Sequence, residues 1–453
     1  MKHTRFVGEL TARDCKRHIQ LPFTVPAHTK QIEISLSFAP ERVHGFHNML
    51  TLTLFDPNGF RGAGHRGGAN HQVFIDANSA TPGYLPGHLP TGEWVAQIDS
   101  HMIMPGEPLH YWLDVTVTTG DATAPTVDSP RKSTVRPQRG PGWYRGDLHS
   151  HTNHSDAGDR TVVELVQMAR DHGLDFLFLT DHNTTSSLSE VLSMADAAFL
   201  TAGGIELTTF WGHALCLGAR QWVDWRVRPG SGEIARIAAE SYAADQVFVI
   251  AHPNSGGDPG CTGCAWRYGD MMPGNARVVE IWNGPWAGDS NNEATLALWY
   301  DWLNQGRRLA ASAGTDTHGR QDYAARPGFN IIYAESLTEA ALLRALVAGK
   351  LYLSSGPQLE FYARSESGRT WMIGDAVDEP VVLHWACHDA PANAQVRLIA
   401  NGRLQQQWSS EWAASQVTIT PNQADWVVLE VRALAGELLA ITNPVFFGQG
   451  GQP

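Results

Sequence analysis

TVVELVQMARDHGLDFLFLTDH, residues 161–182, sets a helix directly before a buried strand. Val162, Leu165, Val166 and Ala169 recur at helical spacing, and Gly173 supplies the stop signal. Five apolar residues between Leu174 and Leu179 follow at once, as in a strand covered on both faces. The unit recurs. A helix around residues 232–244 precedes VFVIAHP, one near 293–305 precedes RLAASAGTD, and one over 337–348 precedes KLYLSSGP. Such alternation over residues 143–357 predicts a parallel α/β barrel, the architecture that helices between buried strands produce.

Outward from this segment the pattern changes. In residues 1–118, QIEISLSF, MLTLTLFDPNG, TGEWVAQIDSH and YWLDVTVTTG alternate apolar and polar residues and end in turn formers, which predicts a β-sandwich. Residues 119–142 are rich in Pro, Gly, Ser and Thr and poor in large apolar side chains, so they read as a linker. Residues 358–453 return to strands (VVLHWACH, AQVRLIANG, DWVVLEVRAL, AITNPVFF), and a second β-sandwich is expected there. Three domains suit a chain of 453 residues.

Composition narrows the function classes. Lys and Arg total 33 against 46 Asp and Glu, a formal charge of −13. That balance opposes a nucleic-acid partner, whose phosphates are bound by surface cations. Neither a signal peptide nor an apolar run of membrane-spanning length is visible, so a cytoplasmic location and no membrane partner are expected. Five Cys do not make a disulfide framework. Ten of the 20 His fall in the first 140 residues, scattered through turn-like text, and are expected to be surface or hydrogen-bonding residues.

Position relative to strands picks out a different set. RGDLHSH ends in His149 and His151, whose i, i+2 spacing on an extended chain puts both imidazoles on one side. FLFLTDH ends in Asp181 and His182, AGGIE in Glu206, VFVIAH in His252, and AASAGTDTH in Asp316 and His318. In a parallel barrel these strand ends open on one face. Imidazole and carboxylate together suit Zn, Mn or Fe.

Taken in order, DLHSHT, SD, LTDHN, GIE, AHP and GTDTH closely resemble the polymerase-and-histidinol-phosphatase (PHP) superfamily of metallohydrolases. GHALCLG, VEIWNG, LYLSSGP and ITNP look like its carbaryl-hydrolase-like CehA/McbA branch. The resemblance implies a distorted TIM-like (β/α)7 barrel, here flanked by two β-sandwiches, carrying two or three divalent ions. His149, His151, Glu206 and Asp316 would hold the first ion. Glu206 would bridge to a second, completed by His252 and His213, and Asp156, His182 and His318 would hold a third. The usual SDG reads SDAG here, through Ser155–Gly158, and His154 adds an imidazole to the same loop. A bridging carboxylate keeps two ions about 3.5–4 Å apart, and water bound to such ions falls from a pKa of 15.7 to about 7, supplying a bridging hydroxide.

Further candidates stand beside these ligands. His154 could protonate a leaving group, or merely hydrogen-bond a ligand carboxylate. Arg326 could bind a phosphate or carboxylate in bidentate fashion, or serve as a loop salt bridge. Cys261 and Cys264, a lone CxxC, read as two free thiols in a loop. Eight of the 16 Trp lie between Trp211 and Trp302; Trp299 and Trp302 suit packing, while Trp282 and Trp286 are candidates for an aromatic wall favouring a bulky or planar leaving group.

Three functions compete. The first is a phosphoesterase acting on a small organic phosphate mono- or diester. The second is a carbamate, ester or amide hydrolase, because the same hydroxide can attack a carbonyl carbon. The third is a non-catalytic binding protein whose barrel has lost activity.

Overall fold

The computed structural model describes residues 1–120, 139–158, 160–319, 322–410, 414–419 and 423–448. Of the expected linker at 119–142, positions 121–138 lie outside the described residues.

The N-terminal region forms two four-stranded antiparallel sheets. Lys2–Leu10, Leu109–Thr119, Thr29–Ala39 and Asn70–Asp76 make one, and Arg17–Val25, Gly92–Met102, Met49–Asp56 and Gly59–Gly64 the other. Period-two alternation turns Ile32, Ile34, Leu36 and Phe38 inward, where they meet Leu50, Leu52, Leu54, Trp94 and Ile98 of the facing sheet. Burying each such side chain contributes about 1.5–3 kcal/mol.

The central sheet corrects the expectation of a parallel barrel. Its order is Ala310–Gly314, Val278–Asn283, Val247–Ile250, Gly212–Leu217, Leu200–Thr209, Phe176–Leu179, Gly142–Asp147, Phe329–Ala334 and Leu351–Ser354. Gly142–Asp147, Phe176–Leu179 and Leu200–Thr209 pair in parallel, as do Val247–Ile250, Val278–Asn283 and Ala310–Gly314. The remaining ladders are antiparallel. Only Phe210 and Trp211 separate Leu200–Thr209 from Gly212–Leu217, too few for a crossover, so the chain turns back as a hairpin. Gly212 (φ +154°) is required in that turn, since a Cβ there would lie 2.5 Å from the Trp266 ring.

The sheet curls without a closing ladder among the described residues. Asn330 bridges the seam instead: its amide donates to the Ala313 carbonyl at 2.7 Å and accepts from the Ala313 N–H at 2.9 Å. Just beyond, Asp316 N–H donates to the His149 carbonyl at 3.0 Å and His151 N–H to that of Thr317 at 3.3 Å. Helices Val162–Asp171, Glu233–Ala243, Asn292–Asn304 and Glu339–Val347 pack against the sheet. The first begins in a capping box between Thr161 and Glu164 and buries the four apolar residues read from its sequence.

Beyond residue 357 the same sheet continues. Leu351–Ser354 pairs with Leu438–Thr442, followed by Trp426–Arg432, Gln395–Ala400 and Arg403–Ser409. A second sheet of Thr370–Met372, Gln358–Ser365, Val381–His388 and Ala414–Ile419 shares a core with this extension through Phe361, Trp385, Val396 and Val431. The ladder therefore crosses the expected boundary at 357/358. Asn443 also exchanges hydrogen bonds with the Ala311 backbone at 2.7 and 2.9 Å.

The N-terminal sandwich is anchored beside the strand ends that carry the candidate ligands. Arg66 donates to the carbonyls of Asn153 (2.9 Å) and Ser155 (3.3 Å), and Lys16 pairs with Asp258 at 2.8 Å. Phe60 stacks on Trp222 with centroids 4.6 Å apart. Gly83 (φ +96°) lets the two bodies approach, for a Cβ there would sit 2.9 Å from the His154 carbonyl oxygen. Among the described residues no helix is long and apolar enough to cross a membrane.

Candidate metal centre

Five strand ends and the hairpin deliver their polar side chains to one rim. His149 and His151 follow Gly142–Asp147, His182 follows Phe176–Leu179, His252 follows Val247–Ile250, and Asp316 and His318 follow Ala310–Gly314. Glu206 lies near the end of Leu200–Thr209, and the antiparallel return brings His213 back beside it, with His213 opposite Thr208. Two of these residues are held at positive φ, His252 at +28° and Asp316 at +49°. Such conformations cost energy and persist where surrounding structure enforces them, commonly at functional sites.

Three overlapping groups result, each able to hold a metal ion: His149, His151, Glu206 and Asp316; Glu206, His213 and His252; and His151, Asp156, His182 and His318. The sequence-derived sets come together, with His151 adding to the third. Glu206 is fully buried at the centre. Its Oε2 lies 3.1 Å from His149 Nε2, 3.3 Å from His151 Nε2 and 2.8 Å from His182 Nδ1, while Oε1 lies 2.9 Å from His213 Nδ1 and 3.4 Å from His252 Nε2. Asp156 spans His182 at 3.2 Å and His318 at 3.1 Å, and Asp316 meets His151 at 2.9 Å.

The donor atoms themselves test whether cations fit. His149 Nε2, His151 Nδ1, Glu206 Oε2, His213 Nε2 and His252 Nδ1 are buried with no hydrogen-bond partner. The 3.1 Å approach of His149 Nε2 to Glu206 Oε2 lacks hydrogen-bond geometry although it is short enough for one. Unsatisfied buried groups of this kind are costly, and a cation between the facing His149 Nε2 and Glu206 Oε2 would satisfy both. The residues present fit divalent ions.

Electrostatics points the same way. Burial alone would raise Glu206, Asp156 and Asp316, but the surrounding imidazoles outweigh it and hold all three well below the usual carboxylate range. Conversely, burial would depress His149, His182 and His318, yet the carboxylates lift them, His318 to about 9. At His213 burial prevails and the ring is lowered. Without an ion the carboxylates favour the protonated form of His149, His182 and His318; metal binding displaces such protons.

A layer of partners, of which the strand-end reading singled out only Asp181, orients the ligands. Glu280 Oε2 accepts from His149 Nδ1 at 2.9 Å, and its Oε1 accepts from Asn283 at 2.7 Å. Asp147 accepts the N–H of His149 (3.2 Å) and of Thr315 (3.1 Å). Arg160, almost wholly buried, donates to the carbonyls of both His151 and Thr317 and so ties two ligand loops together. Asp181 holds the Thr152 N–H at 2.7 Å and the Ser155 hydroxyl at 2.8 Å, which shapes the SDAG loop. A signal for Glu280 and Asn283 was available in VEIWNG, where polar residues interrupt an otherwise apolar strand.

Other expected residues are placed elsewhere. His154 contacts the Ser186 hydroxyl at 2.7 Å, is lowered by burial, and is in none of the three groups. Arg326 is exposed at φ +55° and does not line the cleft. Trp282 and Trp286 are buried against each other, so they are core and not a wall. Cys261 and Cys264, read as free thiols, are joined as a disulfide beside the cleft.

The cleft over the groups has a volume of about 330 Å³. Besides seven of the candidate metal-binding residues, it is lined by residues of the N-terminal sandwich, among them Met49, His65 and Met102, and by the 259–264 loop. His65 corrects the dismissal of the N-terminal histidines. Its ring lies 4.6 Å from that of His182 and 5.0 Å from that of His101.

No family model matches the chain, and neither does any curated protein. Among solved structures, a two-domain protein from Bacteroides vulgatus ATCC 8482, described as containing a predicted PHP-like metal-dependent phosphoesterase, is 14% identical with a TM-score of 0.38, over 70% of this chain and 100% of that one. A modular endo-β-1,4-mannanase from Cellulomonas fimi is 13% identical with a TM-score of 0.17, over 61% and 48% of the two chains. At scores this low, the reading of the site rests on its own residues.

Proposed function

We propose that this protein is a metal-dependent hydrolase of the PHP type, a phosphoesterase acting on a small organic phosphate mono- or diester. The observation that carries the reading is Glu206, a buried carboxylate within 3.4 Å of five imidazoles and common to two of the three metal-binding groups. Divalent ions, Mn, Fe or Zn, would supply Lewis acidity toward the ester oxygens and a water of lowered pKa. The chain's own residues hold and orient. His149, His151 and Asp316 converge on one face of Glu206 and His213 and His252 on the other, while Glu280, Asp147 and Arg160 fix the ligand loops. A cleft of about 330 Å³ admits a small molecule.

A second reading, a carbamate, ester or amide hydrolase, is favoured by one observation: no Lys or Arg lines the cleft among the described residues. A carbonyl substrate brings no net charge that would call for one.

The two are separated by stripping the purified chain with chelator, reloading it with Mn, Fe or Zn, and assaying p-nitrophenyl phosphate, bis-p-nitrophenyl phosphate and naphthyl methylcarbamate. Phosphoester turnover that depends on metal is expected. Turnover of the carbamate alone reverses the order of the readings, and stoichiometric metal with no turnover leaves a binding protein. Glu206→Gln is expected to lower phosphoester turnover by at least roughly a thousandfold.

A further inference from the structure

We propose that the N-terminal β-sandwich builds the subsite for the substrate's leaving group: Met49, His65 and Met102 receive the uncharged, apolar substituent of the phosphoester. The proposal rests on the phosphoesterase reading and extends it to the part of the cleft away from the ions.

Three observations carry it. Met49 and Met102 are cross-strand partners at the ends of Met49–Asp56 and Gly92–Met102, and both line the cleft. Thioether side chains are polarisable and adapt to irregular apolar groups. Pro259 and the Cys261–Cys264 disulfide line the same cleft, so apolar groups from both bodies contribute to it, alongside the polar His47 and Thr262. Lys16 of the sandwich pairs with Asp258 at the start of that loop, 2.8 Å away, which fixes one wall against the other.

His65 sits where this apolar space meets the metal-binding groups. Its ring contacts that of His182 at 4.6 Å, and the neighbouring Arg66 is pinned to the Asn153 and Ser155 carbonyls. A ring nitrogen at this junction can hydrogen-bond an ester oxygen of a substrate lying on the Asp156–His182–His318 group. Among the described residues the cleft offers no Lys or Arg, so a second anion on the substituent would be desolvated without a partner. The geometry thus selects by charge as well as size.

The test is calorimetric binding of three non-hydrolysable probes to the full chain with its metal content measured: methylphosphonate, phenylphosphonate and 2-carboxyethylphosphonate. Phenylphosphonate is expected to bind at least roughly tenfold tighter than methylphosphonate, and 2-carboxyethylphosphonate no tighter than methylphosphonate. The double variant Met49→Asn/Met102→Asn is expected to erase the phenyl preference at unchanged metal content, whereas Met102→Leu keeps it. His65→Ala should weaken all three probes, with His65→Gln recovering part of the loss. Equal binding of the phenyl and methyl probes, or tightest binding of the carboxylate, overturns the subsite and leaves the phosphoesterase reading standing. A metal-loaded chain that binds no phosphonate overturns both.

Discussion

Glu280→Gln probes the centre without touching a metal-binding residue. His149 Nδ1 lies 2.9 Å from Glu280 Oε2 in a fully buried contact, so His149 is oriented by a carboxylate behind it. Gly314 makes room for that pair, since a Cβ there would lie 2.3 Å from Glu280 Oε2. In the wild type Oε2 serves His149 and Oε1 serves Asn283. Glutamine offers only one acceptor, so either His149 or Asn283 loses its partner. A hydrogen bond to a charged group contributes about 1.5–3 kcal/mol, or roughly 10–150-fold in an equilibrium constant. Losing the outer partner of a ligating histidine typically costs about 10–100-fold in metal affinity. The two scales agree, and a loss of about 10–100-fold is expected for the ion held by His149, His151, Glu206 and Asp316. Competition titration with a chromophoric chelator measures it, alongside thermal unfolding of the metal-free protein as a check on folding. Unchanged affinity in a folded variant would refute the assignment of Glu280.

Chelation should lower thermal stability as well as activity, because ions at about one hundred times their dissociation constant stabilise by about 2.7 kcal/mol; scanning calorimetry with and without metal checks this. Burial holds the His101 imidazole down at about 3. Its folded-state pKa is therefore depressed, so its contribution to stability is present above pH ~6.5 and is lost as pH falls toward ~3, at about 1.4 kcal/mol per pH unit. His101→Gln should flatten stability against pH in that window, as followed by denaturant unfolding at each pH. Gly83→Ala would place a Cβ 2.6 Å from the Ala63 carbonyl oxygen at φ +96°, and should destabilise by about 1–3 kcal/mol in the same assay.

Much of the site was legible because its chemistry is local. Each ligand except Asp156 and His213 lies near or just past the end of a strand, and the i, i+2 pair His149/His151 reports its own geometry. The sheet was less legible. Leu200–Leu217 contains two strands with only Phe210 and Trp211 between them, and a continuous apolar run does not announce its direction of pairing. His65 was invisible for another reason: it lies in turn-like text about 80 residues before the first ligand, and only docking of the sandwich through Arg66 and Lys16 brings it to the cleft. Trp282 misled because it lies within the strand Val278–Asn283, not past its end, and is buried in the core. Arg326 misled because closeness in sequence to His318 does not carry it to the cleft.

The strand Leu351–Ser354 hydrogen-bonds Phe329–Ala334 on one side and Leu438–Thr442 on the other. Cutting the chain at residue 357 would bare that edge and strip the Ala311 N–H of its Asn443 acceptor, on the strand that leads to Asp316. The C-terminal layer is thus not an accessory that evolution could shed or an engineer could trim. It is the splint that keeps one ligand-bearing strand in line, and a shortened protein should lose metal before it loses secondary structure.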